Sequence, residues 1–496
     1  MTKALRSYDV ILRGGMVVDG SGGKGFRGDV GLTGDRIATL GDLSQATADL
    51  DIDTTGKIVA PGFVDAHTHD DYALIDQPDM AMKVSQGVTT VVVGNCGFSA
   101  MPLPADGELP PSYLVRGVGD LRFAGLAPYF DFLERNPAAV NSAGLIGHSA
   151  LRLSSMAEVD RPATSDEIAA MRRLLARDME AGAVGFSTGL EYPTNRAAST
   201  EEVIAVANAV EPFGGVCTIH NRNYDKRLKE GMEEALLIGR EARVRLVLSH
   251  HQGDGVENAG HAGWTLGLIE QARGRQSVGL DVHPYTAAAT MIHPDFVYDD
   301  TRTLVTSSQS HPEMAGRDLS DIAADWGVSE REAAEKLMPG GAIYFCQDEA
   351  DVRAILAFPA TMIGSDGLPG LGIPHPRLWG TFPRVLGRSV RELKLMSIES
   401  AVHKMTALTA ERFGLADRGL LRAGMAADVT VFDPATVIDR ASYEEPDAVS
   451  EGICHVLVNG VAVWRDGRPT GERPGRPLRR GRRSGWAAEK KAWRSA

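Results

Sequence analysis

The chain has 496 residues, of which 43% are hydrophobic and 24% are charged, a balance typical of globular proteins. Its net charge of -13 and isoelectric point near 5.5 argue against a nucleic-acid partner, which would require a basic surface. The four cysteines are widely spaced and form no CxxC pair, so neither a zinc ribbon nor a disulfide framework is indicated.

The N-terminal segment MTKALRSYDVILRGG lacks the long apolar core of a signal peptide. No stretch of the sequence approaches 18 uninterrupted apolar residues, the length expected of a membrane-spanning helix. We therefore expect a soluble, cytoplasmic protein that acts on a small molecule and has no membrane partner. The sequence leaves the oligomeric state open, with a homo-oligomer as one option.

Short strands are predicted at both ends of the chain. Residues 8–60 alternate apolar and polar positions between Gly-rich and Asp-rich turns, and the same texture returns in MAADVTVFD and GICHVLVNGVAVWRDGRP. Two strand-rich ends around a different middle predict one small β-domain, built from residues 1–60 and 410–480.

The middle of the chain, residues 61–409, alternates apolar strands such as VTTVVVG and VCTIH with amphipathic helices such as SDEIAAMRRLLARDMEAG. This alternation predicts an α/β fold, a TIM-like (β/α)8 barrel. Residues 286–345 interrupt the rhythm with a polar stretch that holds its own small helices, which is typical of a lid. The basic tail, 481–496, is predicted to be disordered, and contact with an anionic surface or a neighbouring subunit is the alternative.

Two histidines, His67 and His69, follow the apolar stretch GFVDA at the start of the predicted barrel. Residues two apart on a strand point to the same face, and the carboxyl ends of barrel strands are where active sites form. Imidazole is a good ligand for zinc and similar metals. Taken alone, the pair could equally consist of incidental surface or hydrogen-bonded histidines.

Four further side chains that can bind a metal come at the ends of other apolar strands: Cys96, His220, His250 and Asp366. Separately, the cysteine could be a small buried hydrophobe, each histidine a satisfied core residue and the aspartate a turn former. Six such placements in one barrel favour a metal site, because unpartnered buried imidazoles and carboxylates are costly. The less well placed histidines are interpreted as structural: His251, His261, His283 and His293.

The motifs GKIVAPGFVDAHTHDD, VGNCG, IHNRN, LSHH, IGSDG and HPRLWGTFPRVLGR resemble, in this order, those of the N-acyl-D-amino-acid deacylases of the amidohydrolase superfamily. The resemblance runs from about residue 8 to about residue 480. It implies a zinc-dependent barrel and a small β-sandwich. His67 and His69 would bind one metal position, and His220 and His250 the other, tighter one. Cys96 would bridge the two positions, which need not both be filled.

The resemblance also implies the reaction, which is hydrolysis of a linear amide by metal-activated water. Asp366 would be a metal ligand, the general base and then the general acid. Tyr192, Tyr285 and Arg377 would bind the substrate α-carboxylate, although Arg377 could instead form a structural salt bridge and Tyr192 a packed ring.

One residue departs from the family pattern: Gln252 stands where members typically carry lysine. Its amide would still donate a hydrogen bond to the carboxylate, but a weaker one. No arginine or lysine occurs around TAAATMIHPDF to bind an acidic side chain, so neutral or hydrophobic D-amino acids are favoured. Two alternatives are an amidohydrolase acting on a cyclic amide or a xenobiotic, and a non-catalytic barrel that has lost its metals.

Overall fold

The computed structural model describes residues 7–106, 109–110, 113–115 and 121–480, so the predicted tail at 481–496 lies outside the described residues. Eight parallel strands, in chain order around the sheet, form the barrel. The barrel strands are Phe63–Asp65, Val88–Val93, Asn141–Gly147, Gly185–Gly189, Val216–His220, Arg245–Leu248, Val278–Val282 and Thr361–Ile363. Val88–Val93 reads VTTVVV and is buried throughout, as expected for a parallel strand covered on both faces.

The first and last strands meet, so the barrel is nearly closed. The amide of Ala66 donates to the carbonyl of Ile363 at 3.2 Å, and the amide of Asp366 donates to the carbonyl of His67 at 2.9 Å. These bonds bring the segments after the first and eighth strands together at the carboxyl end of the barrel.

Helices follow most barrel strands and cover the outside. The predicted helix in SDEIAAMRRLLARDMEAG forms as Ser165–Glu180 and begins with a capping box between Thr164 and Glu167. The α-helices are Ala73–Asp76, Ala81–Val84, Leu126–Arg135, His148–Ser155, Ser165–Glu180, Pro193–Arg196, Thr200–Ala207, Leu228–Ala242, Ala262–Arg273, Leu319–Trp326, Glu330–Leu337, Glu349–Ala357, Arg377–Arg384, Ile398–Met405 and Ala407–Phe413. Short 3-10 turns lie at Asn208–Phe213, Val256–Asn258, Pro294–Phe296 and Pro312–Met314, and Val385–Glu392 is π-helical. In the described part of the chain, every helix is too short or too polar to cross a bilayer.

Both chain ends contribute to a separate nine-stranded sheet, as the sequence predicted. Its strands are Ser7–Val17, Phe26–Thr33, Arg36–Gly41, Thr47–Asp53, Ile58–Pro61, Val429–Phe432, Ile453–Val458, Val461–Arg465 and Arg468–Pro469. Ile58–Pro61 joins the two ends, because it pairs in parallel with Ser7–Val17 and antiparallel with Val429–Phe432. The predicted fold class, an α/β barrel with a smaller β unit built from both termini, is therefore confirmed.

The interruption predicted between the last two barrel strands is a small unit of its own. Three antiparallel strands form a sheet, and the two predicted helices lie between the second and third of them. The strands are Ala288–Met291, Thr303–Ser308 and Gly340–Tyr344, and the helices are Leu319–Trp326 and Glu330–Leu337. The first strand faces the barrel, where Thr290 Oγ1 lies 3.1 Å from the hydroxyl of Tyr192.

A buried lysine ties the closing segments of the barrel together. Lys83 Nζ lies 2.9 Å from Asp65 Oδ2, 3.1 Å from Asp70 Oδ2 and 2.9 Å from Ser365 Oγ. The three charged side chains are fully buried. Asp65 also accepts the backbone amide of Ser365 at 2.8 Å. The ammonium group thus balances two carboxylates that flank the paired histidines and holds the residue before Asp366.

Replacing Lys83 with methionine should destabilise the protein by about 3–5 kcal/mol, because two carboxylates would remain buried without their cation. Equilibrium denaturation by urea measures the change. Lys229→Met is the matched control, since Lys229 lies 3.9 Å from Glu233 in an exposed pair and its loss should cost under about 1 kcal/mol. Equal destabilisation by the two variants would contradict this reading of Lys83.

Candidate metal centre

The six side chains that the sequence singled out lie together at the carboxyl end of the barrel. His67 and His69 both follow the first barrel strand, and each of the other four lies at or shortly after the end of a different strand. The six are His67, His69, Cys96, His220, His250 and Asp366, and all are buried. Parallel strands deliver their ends to one mouth, so residues up to about 300 positions apart meet there.

The first group of ligand atoms comprises His67, His69, Cys96 and Asp366. His67 Nε2 lies 3.2 Å from Cys96 Sγ and 3.4 Å from Asp366 Oδ1. His69 Nε2 lies 3.2 Å from the same Asp366 oxygen. All four ligand atoms lie within 4.8 Å of one another, which is a suitable spacing for one cation between them.

The second group shares Cys96 with the first and adds His220 and His250. Cys96 Sγ lies 3.4 Å from His250 Nε2, which is 2.8 Å from His220 Nδ1. Sulfur, imidazole nitrogen and carboxylate oxygen are the donors that zinc takes, so both groups fit this metal. The arrangement can therefore hold two metal positions that share the thiolate of Cys96.

Three of the six residues adopt a backbone conformation that side chains rarely take. The φ angles are 54° at Cys96, 31° at His250 and 49° at Asp366. A non-glycine residue in such a conformation costs on the order of 1–3 kcal/mol, and this strain is concentrated at functional sites. Here each kink follows a strand end.

Charge at the centre favours the ionised forms of the acidic ligands. Burial disfavours the thiolate of Cys96, but the nearby charges of His67 and His250 outweigh it and hold its pKa well below the usual value. Burial likewise opposes ionisation of Asp366, and the Arg377 guanidinium, with His67, holds the pKa of that carboxyl well below its usual range. Both shifts favour the anionic form that a metal ligand needs.

Two carboxylates that the sequence analysis did not single out hold the imidazoles. Asp281 Oδ1 lies 3.1 Å from His67 Nδ1 and accepts the backbone amide of His250 at 2.9 Å. Glu191 Oε2 lies 3.0 Å from His220 Nε2. Asp281 left a sequence signal, since it is an acid inside the apolar barrel strand VGLDV. Glu191 left none, because it stands in a loop.

Two of the four residues predicted to bind substrate line a cavity of about 30 Å³ beside the second ligand group: Tyr192 and Gln252. The Tyr192 ring lies 4.5 Å from the ring of His220. Gln252 Nε2 donates to Asp254 Oδ1 at 3.0 Å, and Gln252 Oε1 accepts from Gln347 at 2.7 Å. The amide of Gln252 is thus already engaged on both sides.

The other two, Arg377 and Tyr285, lie on the Asp366 side. Arg377 Nη1 is 2.9 Å from Asp366 Oδ2, and Nη2 donates to the carbonyl of Ala289 at 2.9 Å. The Tyr285 hydroxyl donates to the carbonyl of Pro376 at 3.4 Å. His283, interpreted from the sequence as structural, is buried nearby, and neither ring nitrogen has a hydrogen-bond partner among the described residues.

Two larger cavities lie next to residues of the centre. One, of about 430 Å³, is lined largely by charged residues and reaches Glu191. The other, of about 330 Å³, reaches His69 and is lined in part by Tyr72, Met291 and Leu368. The centre is therefore flanked by a charged space beside the second ligand group and a more apolar one beside the first.

Comparison with known proteins finds relatives that are similar over nearly the whole chain. The amidohydrolase family pattern matches residues 52–249 and 310–469. A D-aminoacylase of Alcaligenes xylosoxydans xylosoxydans is 50% identical, over 95% of this chain and 98% of its own. A D-aminoacylase structure with a binuclear metal centre, for which one-metal activation and second-metal attenuation are described, is also 50% identical, with a TM-score of 0.93 over 95% of this chain and 100% of its own.

A third relative shows a bound metal and inhibitor. The N-acyl-D-glutamate deacylase of Bordetella bronchiseptica is 44% identical, with a TM-score of 0.92 over 96% of this chain and 100% of its own. Its structure contains zinc and a phosphonate inhibitor, a mimic of the tetrahedral intermediate of the reaction.

Replacing Cys96 with alanine should weaken zinc binding by more than about 100-fold, because loss of an outer-sphere partner alone typically costs about 10–100-fold. Zinc per chain after equilibrium dialysis, measured by mass spectrometry, gives the answer. Cys217→Ala is the matched control, since Cys217 is equally buried in the strand Val216–His220 but lies outside both ligand groups. Unchanged zinc content in the Cys96 variant would remove this residue from the centre.

Proposed function

The chain belongs to the amidohydrolase family, among the N-acyl-D-amino-acid deacylases, and we propose that it hydrolyses N-acyl-D-amino acids to a carboxylate and a free D-amino acid. The observation that carries the proposal is the pair of ligand groups that share Cys96 at the mouth of the barrel. Relatives at 50% and 44% identity over nearly the whole chain are a D-aminoacylase and an N-acyl-D-glutamate deacylase, which supports the same chemistry here.

One tightly bound zinc ion and a weaker second one would occupy the two ligand groups. Cys96, His220 and His250 would hold the tight position, and His67, His69 and Asp366, with the shared sulfur of Cys96, would hold the other. When bound, zinc lowers the pKa of water and polarises the amide carbonyl. The description of one-metal activation in a 50% identical D-aminoacylase supports unequal positions.

Asp366 would move the proton in this reaction. Its Oδ1 faces His67 and His69, and its Oδ2 is held by Arg377. The neighbouring positive charges keep the carboxylate ionised, so it can accept a proton from the attacking water. It would then donate that proton to the nitrogen of the departing D-amino acid.

Arg377 and its neighbours would hold the α-carboxylate of the substrate. Arg377 is buried, and its Nε has no hydrogen-bond partner among the described residues, so one donor of the guanidinium is available. The hydroxyls of Tyr192 and Tyr285 and the amide of Gln252 would add neutral donors. Gln252 would have to exchange its present bonds for one to the substrate, which makes its contribution the weakest of the four.

The small cavity favours neutral D-side chains. Its lining includes the carboxylate of Glu191, the aromatic rings of Phe296, Tyr298 and Tyr344, and the carboxyl group of Asp254, whose pKa burial raises to about 7. Among the described residues that line it, none is lysine or arginine. An acidic side chain would meet the negative charge of Glu191 there without a cation among the lining residues, which is unfavourable.

Hydrolysis should be strictly dependent on configuration and on metal. We expect the protein to release methionine from N-acetyl-D-Met and not from N-acetyl-L-Met, measured by amino-acid analysis. Dialysis against a chelator should abolish the activity, and added zinc should restore it, because the ligand groups would otherwise lack their cation. Turnover of cyclic amides with none of any N-acyl-D-amino acid would instead support a different amidohydrolase reaction.

The charge of the D-side chain should decide between close analogues. We expect kcat/KM for N-acetyl-D-Gln to exceed that for N-acetyl-D-Glu by at least about tenfold, because the two differ mainly in the charge that faces the carboxylate of Glu191. N-acetyl-D-Phe and N-acetyl-D-Met should be turned over at least as well as the glutamine derivative. Preference for D-Glu over D-Gln would contradict the proposed selectivity and leave the reaction itself unaffected.

A further inference from the structure

The carboxylate of Glu191 lines the small cavity and also contacts a residue of the second ligand group. It stands in the loop after the strand Gly185–Gly189, with Oε2 3.0 Å from Nε2 of His220. The side chain is 17% exposed, and His220 is its only side-chain partner among the described residues. It lies between the second ligand group and the charged cavity of about 430 Å³.

This contact fixes which nitrogen of His220 is free to bind a metal. An imidazole must be neutral to bind a metal, and it then carries one N–H donor and one acceptor nitrogen, whereas a carboxylate can only accept. Nε2 of His220 therefore carries the hydrogen and donates to Glu191. The lone pair is left on Nδ1, the nitrogen that faces His250 Nε2 at 2.8 Å and belongs to the group around Cys96.

His67 shows the same device with the nitrogens exchanged. Its Nδ1 lies 3.1 Å from Asp281, and its Nε2 faces Cys96 at 3.2 Å. The two imidazoles thus need opposite tautomers, and in each case a carboxylate stands at the nitrogen that must keep its hydrogen. Glu191 lies in a loop, but its contact with His220 therefore bears on the geometry of the second ligand group.

We propose that Glu191 is a positioning residue for His220, which holds the ring in orientation and tautomer for the metal position formed by Cys96, His220 and His250. The inference rests on the metal assignment of the proposed function. Outer carboxylates of this kind raise the basicity of the ligating imidazole, and their loss typically weakens metal binding by about 10–100-fold. Glu191 would act through His220 and without touching the substrate's reacting atoms.

Zinc affinity of the full-length protein tests the proposal without reference to turnover. We expect Glu191→Ala to raise the zinc dissociation constant by about 10–100-fold in competition with a chromophoric chelator. Glu191→Gln should give an intermediate value, because the amide oxygen can still accept the hydrogen bond but carries no charge. Glu257→Ala is the matched control, since Glu257 is an exposed acid that lines the same cavity and contacts neither ligand group.

Unfolding of the metal-free proteins separates a positioning role from a general structural one. The wild type and the three variants should all unfold at the same urea concentration. Unchanged zinc affinity in Glu191→Ala, or an equal loss in Glu257→Ala, would overturn the proposal. The proposal would also be overturned if Glu191→Ala binds zinc weakly, its metal-free form unfolds at a lower urea concentration than the wild type, and Glu191→Gln restores no part of the affinity. If the zinc affinities follow the expected order while no N-acyl-D-amino acid is hydrolysed, the proposed function fails and the role of Glu191 stands.

Discussion

The sulfur of Cys96 belongs to both ligand groups, and the charge that it carries is the constraint around which the site is arranged. A buried thiolate next to a buried carboxylate, that of Asp366, is costly unless positive charge surrounds them. Imidazoles from three separate strands and the guanidinium of Arg377 provide part of that compensation. A divalent cation bound by the two ligand groups would complete it, which would link metal affinity to the stability of the barrel mouth. The same logic recurs one layer away, where Lys83 balances Asp65 and Asp70.

The sequence was most informative where strand chemistry and function coincide. His67, His220 and Asp366 could be singled out because each lies at or shortly after the end of an apolar strand, and the carboxyl ends of parallel strands must converge. The convergence of these strand ends could be predicted without knowing how the loops fold. The helix in SDEIAAMRRLLARDMEAG was equally accessible, since its capping residues and apolar spacing are local.

Features that depend on contacts between distant segments could not be read in this way. Glu191 is an unremarkable loop acid until the fold sets it against His220. Lys83 gives no sign in its own helix that it will be fully buried between two carboxylates. The strands of the insertion were also missed, because Ala288 pairs with Tyr344 across more than fifty residues and neither segment alternates clearly. Long-range pairing decides such strands, and local pattern does not.

The separate small sheet between the seventh and eighth barrel strands has a consequence for how enzymes of this design diversify. The ligands are anchored at the rigid strand ends, whereas Ala288, Thr290, Phe296, Tyr298 and Tyr344 of the small cavity all come from this one insertion. Mutation there alters the walls that a side chain meets and leaves the donor atoms in place. Part of the wall around the side chain is thus encoded in a stretch of the gene that holds none of the six ligands, so that part can vary without replacing a donor atom.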